Sequence, residues 1–373
     1  MEKVRLGIIG AGNMGSGHIG NYKKGLLPEV EITAVADRRQ ERRDWAKAEL
    51  GDAVTIFSEG SDLIASGLVD AILIAVPHYQ HPTLAIEGFQ HNLHVLCEKP
   101  AGVYTKQVEE MNAVAAKHPE LVYCMDFNQR TNPLYKKVKD LIDSGDLGEM
   151  TRVIWIVTDW YRSQSYYDQG GWRATWDGEG GGVLLNQNPH NLDLWQWMCG
   201  IPKRVKSQVY YGKHRNIEVE DDLYALVEYE NGATGCYITT VGDAPGTNRL
   251  EIDGTNGKIV VENNELTFYR LRIPEPEFNA TYKGGLGKPE VWECKIPIKG
   301  TYTSHPGIIN NFCDCILKGA KPIAPGAEGI RGLQISNAIH LSSWLNGEWV
   351  NIPVDGELFL EKLQEHCKEP VTK

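Results

Sequence analysis

A glycine triplet near the start of the sequence constrains this chain more than any other feature. Gly10, Gly12 and Gly15 form the pattern G-x-G-x-x-G directly after an apolar run, Val4 to Ile9, and Asp37 closes the next apolar run. In a strand–turn–helix unit the first glycine permits a tight turn, the second lets the backbone approach a pyrophosphate, and the third lets the helix pack on the strand. The sequence therefore predicts a dinucleotide-binding unit with the pyrophosphate at the helix N-terminus. The alternative is a glycine-rich turn without a ligand.

Asp37 also indicates which dinucleotide this unit prefers. A carboxylate there accepts hydrogen bonds from the adenosine ribose hydroxyls and repels a 2′-phosphate, which favours NAD over NADP. Arg38 and Arg39 follow directly, and an arginine at this place can bind that phosphate, so NADP stays open as the less favoured cofactor. The residues predicted to bind the cofactor here are Gly10, Gly12, Asn13, Met14, Gly15, Asp37 and Arg38.

The composition argues against several classes of partner. The 373 residues leave room for two domains, and 42% hydrophobic with 23% charged residues is typical of a soluble globular protein. A formal net charge of -11 argues against nucleic acid or an anionic membrane surface as the main partner. No apolar stretch reaches the ~18 residues that span a bilayer, and the first strand begins too early for a signal peptide. With eight cysteines and no C-x-x-C pair, we expect a cytoplasmic protein with reduced thiols.

Two patterns of periodicity divide the chain. In the first third apolar strands alternate with helices, and the continuous apolar run Ala71–Val76 is typical of a strand buried on both faces. This predicts a parallel, doubly wound sheet, an α/β Rossmann domain that binds NAD, for residues 1–125. After an amphipathic helix at Asn132–Ser144, longer alternating strands are separated by turn signals, and helices follow at 308–317 and 329–345. Residues 126–373 are therefore predicted to form a substrate-binding α+β domain with a large, mainly antiparallel open sheet.

Lys99 is a candidate for proton transfer. It lies in Cys97-Glu98-Lys99-Pro100 at the end of the fourth predicted strand, and Val76-Pro77-His78-Tyr79-Gln80-His81 ends the third. Ligands bind at the carboxyl ends of such strands. A partly buried ammonium beside a nicotinamide ring has a lowered pKa and can exchange a proton with a substrate hydroxyl. The alternative is a solvated lysine in a loop.

His190 is the second candidate. Asn188 is a good helix N-cap and Pro189 a good first helical residue, so His190 lies in the first turn, with Asp193 three positions on and able to orient it. A histidine with a pKa of ~6.5 is a natural proton acceptor for an alcohol that is being oxidised. The alternative is a histidine that only caps the helix or bonds within the core.

Tryptophan and tyrosine are concentrated between these two candidates. Flat aromatic faces beside polar groups suit sugar rings, and the residues expected near a bound sugar are Trp160, Tyr161 and Trp172, with Arg173 paired either to Asp177 or to a substrate hydroxyl. We expect Trp155, Trp195 and Trp197 to pack in the core. No metal site is predicted, because the histidines form no H-x-x-x-H pair with a carboxylate. The G-x-S-x-G elbow of a hydrolase is absent from the sequence.

A series of short motifs runs along nearly the whole chain. They are Gly10-Ala-Gly-Asn-Met-Gly15, Val76-Pro-His-Tyr-Gln-His81, Glu98-Lys99-Pro100, Phe127-Asn128-Gln-Arg130, Ser144-Gly-Asp-Leu-Gly148, Trp172-Arg173, the block Gly180–Asp193, and the closing Asn311-Phe, Glu328-Gly and Asn337-Ala pairs. In this order they make the chain similar to the Gfo/Idh/MocA family, which includes glucose–fructose oxidoreductase and inositol dehydrogenase. Glu-Lys-Pro followed by G-G-G…H-x-x-D makes the resemblance specific.

The resemblance implies a hydride transfer between nicotinamide C4 and a secondary carbinol of a sugar or polyol. Lys99 matches the lysine that holds the reacting hydroxyl, and His190 matches the histidine that takes or relays its proton. On the same basis we expect Val76, Pro77, His81, Glu98 and Lys99 to contact the cofactor and Asn128, Arg130, Asn186 and Arg173 to contact a small carbohydrate substrate. The resemblance also implies a homodimer or homotetramer formed through the open sheet.

The sequence departs from the family pattern at Asn186. The family commonly has aspartate four residues before the histidine, and an amide cannot accept a proton as a base. The proton relay then depends on Lys99 and His190, or on a nearby tyrosine. Members with Leu-Leu-Asn-Gln resemble enzymes that oxidise a glycoside or anhydrosugar, often at C3.

Three functions stay open at this point. The first is an NAD-dependent sugar or glycoside dehydrogenase. The second is a redox-neutral enzyme that oxidises a glycoside transiently, promotes elimination or epimerisation, and returns the hydride. The third is a non-catalytic sugar or NAD sensor, against which the intact Glu98-Lys99-Pro100 and His190 argue. Residues 160–176 and part of 272–305 are expected to recognise the substrate ring, with 274–287 as a loop or lid.

Overall fold

The computed structural model describes residues 2–368, which form two compact units. The first unit comprises Met1–Thr131 and Thr303–Leu333, and the second comprises Asn132–Tyr302 and Gln334–Lys373. The boundary at residue 125 stays a prediction. Nothing in the sequence patterns indicated that residues 303–333 return to the first unit.

The first unit contains a sheet of six parallel strands in the order β3-β2-β1-β4-β5-β6. The strand order reverses between β1 and β4, which places the ligand-binding crevice of such a sheet at the carboxyl ends of these strands. All four residues of β4 are fully buried, as the apolar run predicted. The elements are β1 (Val4–Ile9), α1 (Asn13–Lys23), β2 (Val30–Ala36), α2 (Gln40–Leu50), β3 (Thr55–Phe57), α3 (Gly60–Ala65), β4 (Ala71–Ile74), α4 (His81–Gln90), β5 (His94–Cys97), α5 (Thr105–Ala115) and β6 (Tyr123–Met125).

The second unit contains a sheet of nine strands in the order β14-β13-β12-β11-β7-β10-β9-β8-β15. Its neighbouring strands are antiparallel except β7 and β10, which are parallel, so the mainly antiparallel sheet is confirmed. The remaining elements are α6 (Pro133–Asp143), β7 (Met150–Val157), α7 (Gln164–Tyr167), α8 (Pro189–Cys199), β8 (Arg204–Tyr211), β9 (Glu220–Glu228), β10 (Thr234–Thr240), β11 (Asn248–Gly254), β12 (Gly257–Glu262), β13 (Glu265–Leu271), α9 (Glu275–Thr281), β14 (Val291–Lys295), α10 (Ser304–Lys318), α11 (Gly329–Trp344), β15 (Val350–Asn351) and α12 (Gly356–Lys368).

Several short elements differ from the sequence-based expectation. The stretch 274–287, expected as a loop or lid, contains α9, whose residues include no buried side chain. Without a buried face the helix has no apolar periodicity to read. A π-helical turn, Val183–Gln187, precedes α8 and carries Asn186. None of the helices in residues 2–368 is long and apolar enough to cross a membrane.

Candidate active site

The glycine loop has two positions, Gly10 and Gly15, where the fold has no room for a side chain, and one, Gly12, where space remains. Gly10 has φ +95°, and a Cβ there would lie 2.3 Å from the Ala75 oxygen. A Cβ at Gly15 would lie 1.8 Å from the Gly10 oxygen, so α1 closes directly onto the loop. At Gly12 the nearest atom to a Cβ is Arg39 Nη2 at 3.6 Å. The loop therefore leaves space over Gly12, where a pyrophosphate approaches in such units.

Asp37 is fixed beside this loop by two backbone amides. Ala11 N–H donates to Asp37 Oδ2 at 2.8 Å, and Arg39 N–H donates to Asp37 Oδ1 at 2.9 Å. Arg38 instead pairs through Nε with Glu59 Oε2 at 2.9 Å and is largely exposed. Asn13 and Met14 are exposed at the start of α1. The carboxylate thus stands next to the amides that would face the pyrophosphate, as a ribose-binding acid must.

His81 connects the segments that follow β4 and β5. Its two ring nitrogens lie 2.7 Å from the Pro100 oxygen and 2.8 Å from the Val76 oxygen. The ring is buried, and burial lowers the pKa of His81. Pro77 is the residue before the short helical turn His78–Gln80. The motif histidine therefore ties the backbone that follows β4 to the backbone directly after Lys99, which is half-buried.

Glu98 belongs to a buried cluster of two histidines and two carboxylates. His18 Nε2 lies 2.8 Å from Glu98 Oε1 and 3.7 Å from Asp126 Oδ2, and His305 Nδ1 lies 2.9 Å from Asp126 Oδ2. Burial alone would raise the pKa of Glu98, but the His18 hydrogen bond and nearby positive charges lower it to about 2. Burial and the charge of Glu98 raise the pKa of Asp126. Burial would lower the pKa of His305, but the hydrogen bond to Asp126 and the charge of that carboxylate raise it overall.

These four side chains could hold a metal ion, since one ligand atom of each lies within 4.8 Å of the others. Ligands about 2.0–2.1 Å from one zinc ion lie about 3.3 Å apart, however. The separations of 2.8 and 2.9 Å are those of hydrogen bonds with a proton between the two atoms. The geometry therefore fits two proton-bridged pairs. Sequence reasoning missed this cluster because its members come from α1, α10 and the ends of β5 and β6.

Asn128 and Arg130 also lie in the first unit. Asn128 Nδ2 lies 2.9 Å from His305 Nε2 and 3.2 Å from Ser304 Oγ, so it borders the buried cluster. Arg130 is 1% exposed, and its Nη1 donates to Glu328 Oε2 at 2.7 Å and to the Ile323 oxygen at 3.3 Å. These bonds give Arg130 a structural role. Substrate binding by Arg130 stays a prediction.

In the second unit, α8 places His190 in its first turn, as predicted. Asn188 occupies the N-cap position, but its side chain donates to Thr239 Oγ1 at 2.5 Å instead of capping the helix. Asp193 is buried and accepts a hydrogen bond from Gln196 Nε2 at 3.0 Å. His190 is half-buried. The helix start is thus as expected, and the bond that fixes Asn188 comes from the sheet.

A polar cluster forms around Asn186, in the π-helical turn directly before α8. Arg173 Nη1 donates to the Tyr166 hydroxyl at 2.9 Å, and the Arg173 guanidinium lies 4.7 Å from the centre of the Trp172 ring. Asn186 Nδ2 lies 3.5 Å from the Tyr166 hydroxyl and donates to Glu179 Oε1. Arg173 forms an ion pair with Glu179, with Nη1 4.0 Å from Oε1. The expected partner from the sequence was Asp177 or a substrate hydroxyl.

Glu179 has an unusual environment for a glutamate. It is 1% exposed, and burial raises its pKa to about 7, although the Ala174 amide, Arg173 and Asn186 oppose this rise. Ala174 N–H donates to Glu179 Oε2 at 2.7 Å. A carboxylic acid that titrates near neutral pH is a common feature of active sites. No motif in the sequence marks Glu179 as a site residue. The one indication was Asn186, because an amide at the position of the family aspartate leaves the site without that carboxylate.

The aromatic side chains divide into exposed and buried groups. Trp160 is half-buried and donates through Nε1 to Asn191 Oδ1 at 3.2 Å, whereas Tyr161 is 48% exposed. Trp155 and Trp195 are buried, which confirms that they belong to the core. Trp197 is only half-buried, because it lies on the side of α8 that faces Lys139, 5.9 Å from its ring centre. Its predicted place in the core is therefore wrong.

Two family models match the chain over most of its length. Residues 4–125 match the oxidoreductase family with an NAD-binding Rossmann fold, and residues 135–260 match the Gfo/Idh/MocA C-terminal domain. The first match includes the glycine loop, Asp37 and Lys99. The predictions of a Rossmann domain, an NAD cofactor and an oxidoreductase are thereby confirmed.

Relatives that span nearly the whole chain are dehydrogenases. The levoglucosan dehydrogenase of Pseudarthrobacter phenanthrenivorans is 24% identical over 394 residues, which cover 95% of this chain and 99% of that enzyme. The scyllo-inositol 2-dehydrogenase (NAD(+)) of Bacillus subtilis is 24% identical over 364 residues, covering 95% and 97%. The crystal structure of the WlbA dehydrogenase from Bordetella pertussis, in complex with NADH and UDP-GlcNAcA, has a TM-score of 0.78 at 27% identity and covers 95% of this chain and 100% of its own.

Proposed function

Because the chain belongs to the Gfo/Idh/MocA family of NAD-binding oxidoreductases, we propose that it transfers a hydride between nicotinamide C4 and a secondary hydroxyl carbon of a sugar, glycoside or polyol. Relatives named for levoglucosan and scyllo-inositol support this substrate class. In this proposal Lys99 holds the reacting hydroxyl and His190 takes its proton.

The observation that carries the proposal is the anchoring of Lys99 in the NAD-binding unit. His81 ties the Pro100 carbonyl, directly after Lys99, to the Val76 carbonyl that follows β4, and Glu98, with a lowered pKa, is an anion directly beside Lys99. A neighbouring anion favours the charged ammonium, while partial burial disfavours it. This balance suits a lysine that binds a hydroxyl through its N–H groups and exchanges a proton with it.

The cluster around Asn186 supports a carbohydrate as the substrate. The Tyr166 hydroxyl lies within hydrogen-bond range of both Arg173 and Asn186, so donors and acceptors are grouped here, and Trp172 provides a ring face beside Arg173. A few convergent polar groups next to an aromatic face suit a sugar ring with its hydroxyls and C–H faces. Within this class we propose a glycoside oxidised at C3, since Asn186 lies in the Leu-Leu-Asn-Gln motif.

The test is NADH formation by the purified protein with NAD and a panel of free pyranoses, glycosides, anhydrosugars and inositols. Lys99→Met should abolish turnover and leave NAD binding intact, while Lys117→Met, an exposed lysine of the same unit, is the matched control and should behave like the wild type. Product analysis then identifies the oxidised carbon. Oxidation only at C1 or C2 would exclude the C3 assignment.

Two other outcomes would redirect the proposal. Lack of NADH formation across the panel, with NAD retained through purification, would favour the redox-neutral enzyme, which consumes no cofactor. Normal turnover by Lys99→Met would contradict the mechanism itself.

We also infer that the open sheet mediates a homodimer or homotetramer. Tyr210, Tyr224 and Leu226, on the neighbouring strands β8 and β9, are 36%, 47% and 47% exposed. Apolar side chains grouped on a sheet face are typical of an interface. Sedimentation of the wild type and of Leu226→Glu tests the inference, because a monomeric wild type would contradict it.

A further inference from the structure

Asn186 raises a chemical question that the proposed function leaves open. An amide binds a hydroxyl but does not titrate, so it cannot itself take up or release a proton as the pH changes. The side chain is held by a carboxylate instead, since its Nδ2 donates to Glu179 Oε1. In the family pattern the carboxylate stands at the position of Asn186 itself. Here a carboxylate, that of Glu179, contacts the Asn186 side chain instead.

The loop that carries Glu179 is folded so that this contact forms. Glu179 N–H and Gly180 N–H both donate to the Thr175 oxygen, at 3.0 and 3.1 Å. A Cβ at Gly178 would lie 2.4 Å from the Trp172 oxygen, so only glycine fits this turn. On the other side, Asn186 N–H donates to the Gly182 oxygen at 2.9 Å within the π-helical turn. Both partners are therefore held by backbone bonds.

The surroundings of Glu179 contain charged groups of both signs. Arg173 Nη1 lies 4.0 Å away and stabilises the anion, whereas Glu220 of β9 disfavours it and Tyr167 of α7 interacts with it electrostatically. Glu220 itself accepts the amides of Gly182 and Leu184 at 2.7 and 2.9 Å. The two glutamates thus have different roles. Glu220 fixes the backbone of the π-helical turn, and Glu179 contacts the side chain of Asn186 within that turn.

We propose that Glu179 is a positioning residue for the reaction, which sets the orientation of the Asn186 amide towards the substrate. An ionised carboxylate only accepts hydrogen bonds, so it holds the Asn186 NH₂ group and orients the amide oxygen, which has two lone pairs, as an acceptor for the substrate hydroxyl. A protonated Glu179 can donate to that oxygen and so turns the amide over. The amide then offers donors where the alcohol needs an acceptor. This proposal rests on the proposed oxidation of an alcohol and involves no covalent step.

The pKa of Glu179, raised to about 7 by burial, places this change near neutral pH. The wild type should lose kcat/KM as pH falls through about 7. Glu179→Gln keeps the shape and accepts the Ala174 amide but does not titrate, so its profile should lack the step that belongs to Glu179, whereas a step from His190, the proposed proton acceptor, stays in both profiles. We expect a loss of about 10- to 100-fold above neutral pH, as for one charge-assisted hydrogen bond. Glu218→Gln, which removes a carboxylate that accepts the Trp176 amide, should keep the wild-type profile.

A charge exchange separates positioning from simple structural support. Asn186→Asp alone puts two carboxylates in contact and should lower activity. Asn186→Asp combined with Glu179→Gln returns to one carboxylate and one amide, with the acid at the family position. We expect the double variant to exceed Asn186→Asp at least about 10-fold in kcat/KM. If the two substitutions add without recovery, or Glu179→Gln keeps the full pH dependence of the wild type, the proposal is wrong.

Infrared difference spectroscopy between acid and neutral pH provides a readout that needs no substrate. A protonated carboxyl band that disappears near pH 7 should be present in the wild type and missing in Glu179→Gln. If the wild type forms no NADH with any sugar but shows this band, the proposed function fails while the titration of Glu179 stands. If the band is missing, the positioning role fails whatever the activity.

Discussion

Alanine at Gly12 and alanine at Gly15 should have different effects, because the structure leaves space at the first glycine and none at the second. At Gly12 a methyl group meets its nearest atom at 3.6 Å, and φ is -69° with an extended ψ, which alanine adopts. Reduced freedom of the unfolded chain should stabilise the variant by ~0.4–1 kcal/mol. Loss of a good N-cap residue costs a similar amount. The free energy of unfolding should therefore stay within about 1 kcal/mol of the wild type.

NADH binding by Gly12→Ala should weaken although the fold is intact. The methyl group occupies the space through which the pyrophosphate approaches the backbone. Crowding a well-packed contact by one carbon costs ~1–3 kcal/mol, which corresponds to an increase in Kd of about 5- to 150-fold. Titration of the tryptophan fluorescence with NADH, beside urea unfolding of the free protein, measures both quantities on one preparation.

Gly15→Ala is the matched comparison. Its methyl group would lie 1.8 Å from the Gly10 oxygen, so α1 must move away from the loop. We expect a loss of at least about 3 kcal/mol in the free energy of unfolding, at or above the upper end for overpacking. Wild-type NADH affinity in Gly12→Ala would refute the view that the space over Gly12 belongs to the pyrophosphate. Equal stability of the two variants would refute the geometry of the loop.

Three further changes test other parts of the molecule. Asp37→Asn should raise the Kd for NADH about 10-fold or more and reduce the preference for NADH over NADPH. Asp44→Asn on α2, the control, should change neither quantity. If the ratio of the two Kd values is unchanged in Asp37→Asn, another residue discriminates between the cofactors. Glu179→Gln should become more stable relative to the wild type as pH rises from about 4.5 to about 7, because over this range the carboxyl ionises in the unfolded chain while the buried carboxyl of the folded protein stays protonated; the difference reaches about 3 kcal/mol and is constant above about 7, and urea unfolding that shows no such pH dependence would contradict it. Arg130→Met should lower the free energy of unfolding by about 3 kcal/mol and leave KM unchanged; a higher KM at full stability would instead support the predicted substrate contact.

The first unit could be predicted from the sequence because its signals are local. The predicted run Val4 to Ile9 matches β1 residue for residue, and the apolar run Ala71–Val76 contains β4, whose four residues are buried, since strands buried on both faces are largely apolar. The glycine spacing likewise reflects contacts within one turn and one helix. By contrast, β3 has only three residues and α9 has no buried face, so neither leaves a pattern that periodicity can detect.

The groups that tune the candidate site could not be predicted in the same way, because their partners are distant in sequence or carry no periodic signal. His305 pairs with Asp126 across 179 positions, and only the return of α10 to the first unit brings them together. Glu179 is close to Asn186 in sequence, but its role depends on a glycine turn that buries its carboxylate. Arg173 favours the ionised form of that carboxylate, while burial and Glu220 favour the protonated form. When an amide replaces a titrating residue in a site, the amide responds to pH only if another titrating group, such as a carboxylate, contacts it. A substitution such as Asn186 should therefore be interpreted together with the acidic side chains that contact it in the folded protein.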